Sequence, residues 1–156
     1  MSRRRVYVPA DAADLRIIVA GQPWSVTGRA AYAVTPAARM AFAEDDEEDL
    51  EYDAFLCACR HRLGSSSQPG SGLVVSLDVE TDHVEDVPPA GEPQDRGGVQ
   101  DAAADSGFAV VLREVVPLAQ VVSIHAPDSS GGPEEELLWY DVSEAAELLA
   151  LLAASR

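Results

Sequence analysis

Apolar and polar positions along the chain group into short segments, each of which predicts an element. Arg5-Val-Tyr-Val8 reads as a short first strand stopped by Pro9. Asp11 then caps a helix whose apolar positions Leu15, Ile18 and Val19 fall on one face, with Gly21 as its stop. Gln22 to Gly28 is a loop carrying Trp24, and Ala30 to Val34 is a second strand. Thr35-Pro36 supplies a capping hydroxyl followed by proline at the first helical position. The helix that begins there carries Met40 and Phe42 and runs into the acidic block Glu44 to Asp53.

Within and beyond that block, Tyr52, Phe55, Leu56, Cys59 and Leu63 recur at helical spacing and predict one apolar stripe. The acids therefore open a helix, where the positive end of the macrodipole favours them, and Arg60 and Arg62 lie near its other end. On this phase Cys59 is core and Cys57 is accessible. Gly64 to Gly72, rich in serine and glycine, reads as a flexible connector.

Leu73 to Val79 is a well-buried strand, whereas Glu85 to Ser106 is rich in Pro, Gly, Asp and Glu and reads as a mobile polar insertion. Phe108 to Arg113 and Val121 to His125 are two further strands, joined through Val116-Pro-Leu-Ala-Gln120. After a polar loop from Asp128 to Glu136, Leu137-Leu-Trp-Tyr140 leads into a last helix capped by Asp141 or Ser143. Its Ala145, Leu148, Leu149 and Leu152 point inward. The expected fold is α/β in the broad, α+β mixed sense: a single domain over 1–156, with one mixed sheet of about five strands and three to four packed helices. No internal repeat is visible.

Composition sharpens this picture without changing it. The 156 residues are 47% hydrophobic and 24% charged, a globular balance, and the length suffices for one core. Eleven basic against 27 acidic residues give a formal net charge of −16. That charge repels nucleic-acid phosphates and anionic lipid and attracts a basic protein partner. The basic start Met1-Ser-Arg-Arg-Arg5 lacks the apolar run of a signal peptide, since Pro9, Asp11 and Asp14 interrupt it. No apolar stretch is long enough to span a bilayer. Cys57 and Cys59 lie too close together for a disulfide framework, and a reducing cytoplasmic setting is expected.

Four groupings invite chemistry. Cys57-Ala-Cys-Arg-His61 has metal-like spacing, but on a helix Cys59 points away from Cys57 and His61, so the three do not converge. Glu44, Asp45, Asp46, Glu47, Glu48 and Asp49 are the candidate interaction surface for a basic partner, although a charge run of this kind is more commonly a solvated helix start. They lack the ligand alternation and glycine of a calcium loop. Asp78, Glu80 and Asp82 fall on one side of an extended segment, the spacing of a divalent-ion site but more commonly a wet strand face. Trp139-Tyr140 is read as the anchor of the last helix. No nucleophile elbow, phosphate loop or dinucleotide fingerprint is found. No metal or cofactor is expected.

The stretches Arg5-Val-Tyr-Val-Pro9, Ala31-Tyr-Ala-Val-Thr-Pro-Ala-Ala-Arg39, Glu47-Glu-Asp-Leu-Glu-Tyr52, Val116-Pro-Leu-Ala-Gln-Val-Val122 and Trp139-Tyr-Asp141 together resemble an uncharacterised family of high-GC actinobacteria, a domain of unknown function. That resemblance implies a shared fold and carries over no catalytic residue. In strand order the chain also resembles the ADP-ribosyltransferase-like superfamily, which implies an NAD cleft near Tyr7, Thr35 and Glu114. Tyr7-Val8 lacks the superfamily's basic residue and Ala33-Val34-Thr35 keeps only its threonine, so the implied site is degenerate. The leading expectation is a non-enzymatic interaction or regulatory module. An enzyme or degenerate enzyme of the transferase type is the alternative.

Overall fold

The computed structural model describes residues 3–25, 30–65, 73–87, 107–113, 120–127 and 137–154. Strand β1 (Arg3–Ala10) is the long central strand, and β3 (Leu73–Glu80) pairs with it along its whole length, from Arg3 opposite Glu80 to Ala10 opposite Leu73. Pro9 does not end β1, because a proline's fixed φ fits an extended strand end. The other strands are β2 (Ala31–Ala33), β4 (Val84–Asp86), β5 (Ala109–Leu112), β6 (Val121–Pro127) and β7 (Leu137–Asp141). They form one seven-stranded sheet in the order β4-β5-β2-β1-β3-β6-β7. Every pairing in it is antiparallel, so the sheet is not mixed.

Seven strands replace the expected five. One addition is β4, whose Glu85 and Asp86 fall within the expected polar insertion; the rest of that insertion, 88–106, lies outside the described residues. The other is β7, where Leu137 to Tyr140 continue the sheet instead of leading a helix.

Among the described residues four helices cover the two faces. Helix α1 (Ala12–Val19) opens on a reciprocal capping box between Asp11 and Asp14, and Gly21 beyond its end takes φ +72°. Helix α2 (Pro36–Ala41) is capped by Thr35. Helix α3 (Glu47–Ser65) takes in Gly64 and Ser65 of the expected connector, and the rest of it, 66–72, lies outside the described residues. Helix α4 (Ala145–Ala154) follows a 3-10 turn capped by Asp141.

Alternation along the central strands divides the core in two. Val6, Val8, Leu73, Val75 and Leu77 face α1 and α4, burying Leu15, Ile18, Ala145 and Leu148. Tyr7, Val74, Tyr32 and Phe108 face α2 and α3. Trp24 is also buried, and its indole Nε1 donates to Asp14 Oδ1 at 3.0 Å.

The phase of α3 differs from the expected stripe. Leu50, Ala54, Cys57 and Ala58 are the buried positions, Cys59 is half-buried and Tyr52 is exposed. The opposing sheet face already carries two tyrosines and a phenylalanine, so small residues fit between helix and sheet, while Phe55 packs at the flank, edge-on to Tyr7 at 5.6 Å. Met40 is exposed, and Phe42 stacks on Phe108 at 5.9 Å.

Candidate functional site

The acidic surface forms where α2 ends and α3 begins. Asp46 Oδ1 accepts from the Asp49 N–H at 2.9 Å and so caps α3. Glu44, Asp45, Asp46, Glu47, Glu48 and Asp49 are all exposed. Of their carboxylates only Glu47 is ion-paired among the described residues, to Arg39 at 2.8 Å. The negative charge of Asp46, and less that of Asp45, raises the Asp49 pKa. Glu48 and Tyr52, four apart on α3, share its outward face, and Tyr52 is 58% exposed.

Tyr7 and Thr35 each have a structural role. Tyr7 lies buried under α3, where burial raises its pKa, followed by the nearby Glu51. The Thr35 hydroxyl accepts from the Ala38 N–H at 3.0 Å and donates to the Gly107 carbonyl, which docks the start of α2 on the segment before β5. Glu114 lies outside the described residues.

A hollow of about 410 Å³ opens beside both, lined by neighbours of Tyr7 and Thr35 rather than by those residues themselves. Its origin is a mismatch of strand lengths. β1 pairs with β2 only at Val6 and Tyr7, so Arg3 to Arg5 have a strand on the β3 side alone. The sheet also curls here. Two strands separate β4 from β1, yet Arg4 Nη1 meets Asp86 Oδ1 at 2.9 Å while Arg4 Nη2 donates to the Val34 carbonyl at 2.7 Å. Arg5 grips Asp78 through Nε at 2.6 Å and Nη2 at 3.3 Å. That hydrogen bond is the main cause of its raised pKa. Arg3, Arg39, Glu47 and Glu51 complete the charged lining.

Register and alternation assemble a third cluster with no motif in the sequence to announce it. Ser76 of β3 stands opposite Ser123 of β6, and His125 lies two residues further on the same face. His125 Nε2 is 2.9 Å from Ser76 Oγ and 3.1 Å from Ser123 Oγ, with Phe55 packed on the ring at 4.8 Å. Burial, and then the charge of Arg5, lowers the His125 pKa to about 4. Both serines are buried, so the cluster ties the sheet together beneath α3 and offers no open nucleophile.

The remaining groupings do not converge. Asp78 is held by Arg5, Glu80 lies 3.9 Å from His83, and Asp82 sits in the 3-10 turn Thr81–His83 that breaks the strand alternation. Cys57 is buried, Cys59 half-buried, and the side chain of His61 lies outside the described set. Trp139 stands on edge strand β7 and is 64% exposed, so it anchors no helix. Among the described residues no helix is long and apolar enough to cross a membrane.

The chain belongs to a family of unknown function (DUF6912), whose model matches residues 4–149. No curated protein and no solved structure matches it.

Proposed function

We propose that this protein is a non-enzymatic interaction module that receives a basic protein partner on the acidic start of α3. The observation that carries this reading is the run Glu44 to Asp49: six consecutive exposed acids, with one ion pair to them among the described residues and enough mutual repulsion to raise the Asp49 pKa. A helix start needs one capping carboxylate, which Asp46 supplies. Of the other five, Glu47 pairs with Arg39 and the remaining four stand in water, where a cationic surface relieves their repulsion on contact. The exposed Tyr52 gives such a partner an aromatic face beside the charges.

The test is affinity capture from native extract with the wild type and with Asp45→Asn, Asp46→Asn, Glu47→Gln and Glu48→Gln combined. A protein retained by the wild type, released by added salt and not retained by the variant supports the reading. Equal retention by both proteins makes the acids a solvated helix end.

A further inference from the structure

We infer that the hollow beside β1 is a binding site for a small oxyanion, a phosphate or carboxylate group on a small molecule, held by Arg3, Arg5 and Arg39. The chain carries −16 and has eleven basic residues in all, every one of them arginine, yet four of these arginines line this one space. A guanidinium carries five N–H donors in a planar fork that matches phosphate and carboxylate oxygens two at a time. Two of the four are fixed before any ligand arrives. Arg4 is only 17% exposed and spans the gap between Asp86 and the Val34 carbonyl. Arg5 is clamped by both oxygens of Asp78 and keeps donors to spare. Prior ordering of this kind removes much of the entropy cost of binding.

The other two arginines are available. Arg3 is exposed and has no side-chain partner among the described residues. Arg39 is held only by Glu47 in an exposed pair, and such pairs contribute little and exchange readily. The volume of about 410 Å³ is enough for a metabolite-sized ligand. Glu51, on the α3 wall, offers an acceptor for a hydroxyl or amine elsewhere on the same molecule.

The test is titration of the ¹⁵N-labelled arginine Nε–H signals with inorganic phosphate and, separately, with succinate, holding ionic strength constant with sodium chloride. Saturable shifts of Arg3 and Arg5 with either probe support the site; phosphate alone points to a phosphate ester, and succinate alone to a carboxylate. Arg3→Gln combined with Arg39→Gln should weaken binding by about tenfold or more, the scale of a lost charge-assisted hydrogen bond. Both side chains are exposed, so the fold should tolerate their loss. Arg113→Gln, which removes an exposed arginine paired with Glu85 outside the hollow, should leave binding unchanged. The inference is overturned by shifts that stay linear, by full affinity in the double variant, or by equal weakening in Arg113→Gln.

Discussion

Cys57 and Cys59 are two positions apart on one helix and meet different surroundings, one buried against the sheet and the other half-open. Thiol labelling of the native protein should modify Cys59 first, and Cys57→Asp should cost several kcal/mol by burying an unpaired charge, whereas Cys59→Ser should be nearly silent. Glycines differ by site in the same way. Gly107 has φ +87°, and a Cβ there would stand 2.9 Å from the Ala37 Cβ, on the segment whose carbonyl accepts from Thr35. Gly107→Ala should cost about 2–3 kcal/mol in urea unfolding, from backbone strain and overpacking together. Gly21, at φ +72° with nothing within 4 Å of a Cβ, should lose only the backbone share, about 1 kcal/mol. His125 makes the fold sensitive to acid. Its folded pKa of about 4 lies below the ordinary histidine value of 6.5, so the unfolded chain binds the proton more readily. The contribution of the neutral ring is complete above 6.5 and is lost as pH falls towards 4. For a half-buried ring, allowing for solvent screening, the loss should be about 1–2 kcal/mol. Comparing wild type with His125→Gln at pH 7 and pH 5 isolates it from the carboxylates, and equal pH slopes in the two proteins would refute it.

Elements with strong patterns were legible from the sequence. The capped starts of α1 and α2, with Asp11 and Thr35, and the apolar run of β3 are found where their residues predict them. The failures have physical causes. β4 is three residues long and only Val84 is buried, so its polar remainder merges with the insertion that follows. Leu137 to Tyr140 is a continuous apolar run, which periodicity alone does not assign to strand or helix. The phase of α3 differs from the one its pattern predicts because its contact positions include alanines and a cysteine, weak in hydrophobic signal, while larger side chains such as Tyr52 lie on its outer face. The arginine hollow was invisible because Arg3 to Arg5 read as a basic end; only the shortness of β2 and the curl of the sheet turn them into a wall. That packing also decides what the acidic start of α3 can lose. Leu50, Ala54, Cys57 and Ala58 hold the helix on the sheet, so replacing Asp45, Asp46, Glu47 and Glu48 by their amides should leave the circular dichroism unchanged. Asparagine at 46 keeps a capping oxygen, and each charge lost from the dipole is worth only ~0.3–1 kcal/mol. A loss of helical signal in that variant would show that the acids build α3 rather than decorate it.

At the scale of the whole molecule, a formal charge of −16 is carried on 156 residues. A folded chain of this length has a radius of gyration of about 15 Å. At 10 mM salt the screening length is ~30 Å, so each carboxylate feels charge across the entire molecule; near 1 M it falls to ~3 Å and only neighbours count. Unfolding spreads the same charges apart, so repulsion favours the unfolded chain most at low salt. The attractive pairs run the other way, but Arg39 with Glu47 and Arg113 with Glu85 are exposed and contribute little to begin with. Arg4 with Asp86 and Arg5 with Asp78 are more sheltered and resist screening. Repulsion should therefore win, and the melting temperature should rise as sodium chloride increases from 10 to 500 mM. Each ~1 kcal/mol gained should appear as ~2–4 °C in a chain of this size, and an increase of several degrees is expected. The rise should be smaller in the variant with four acids replaced by amides, because that variant starts with less charge to screen. A melting temperature that stays flat or falls with salt would mean that specific ion pairs, rather than the summed charge, dominate the electrostatics of this fold. The acidic surface would then gain less from meeting a basic partner than its charge implies.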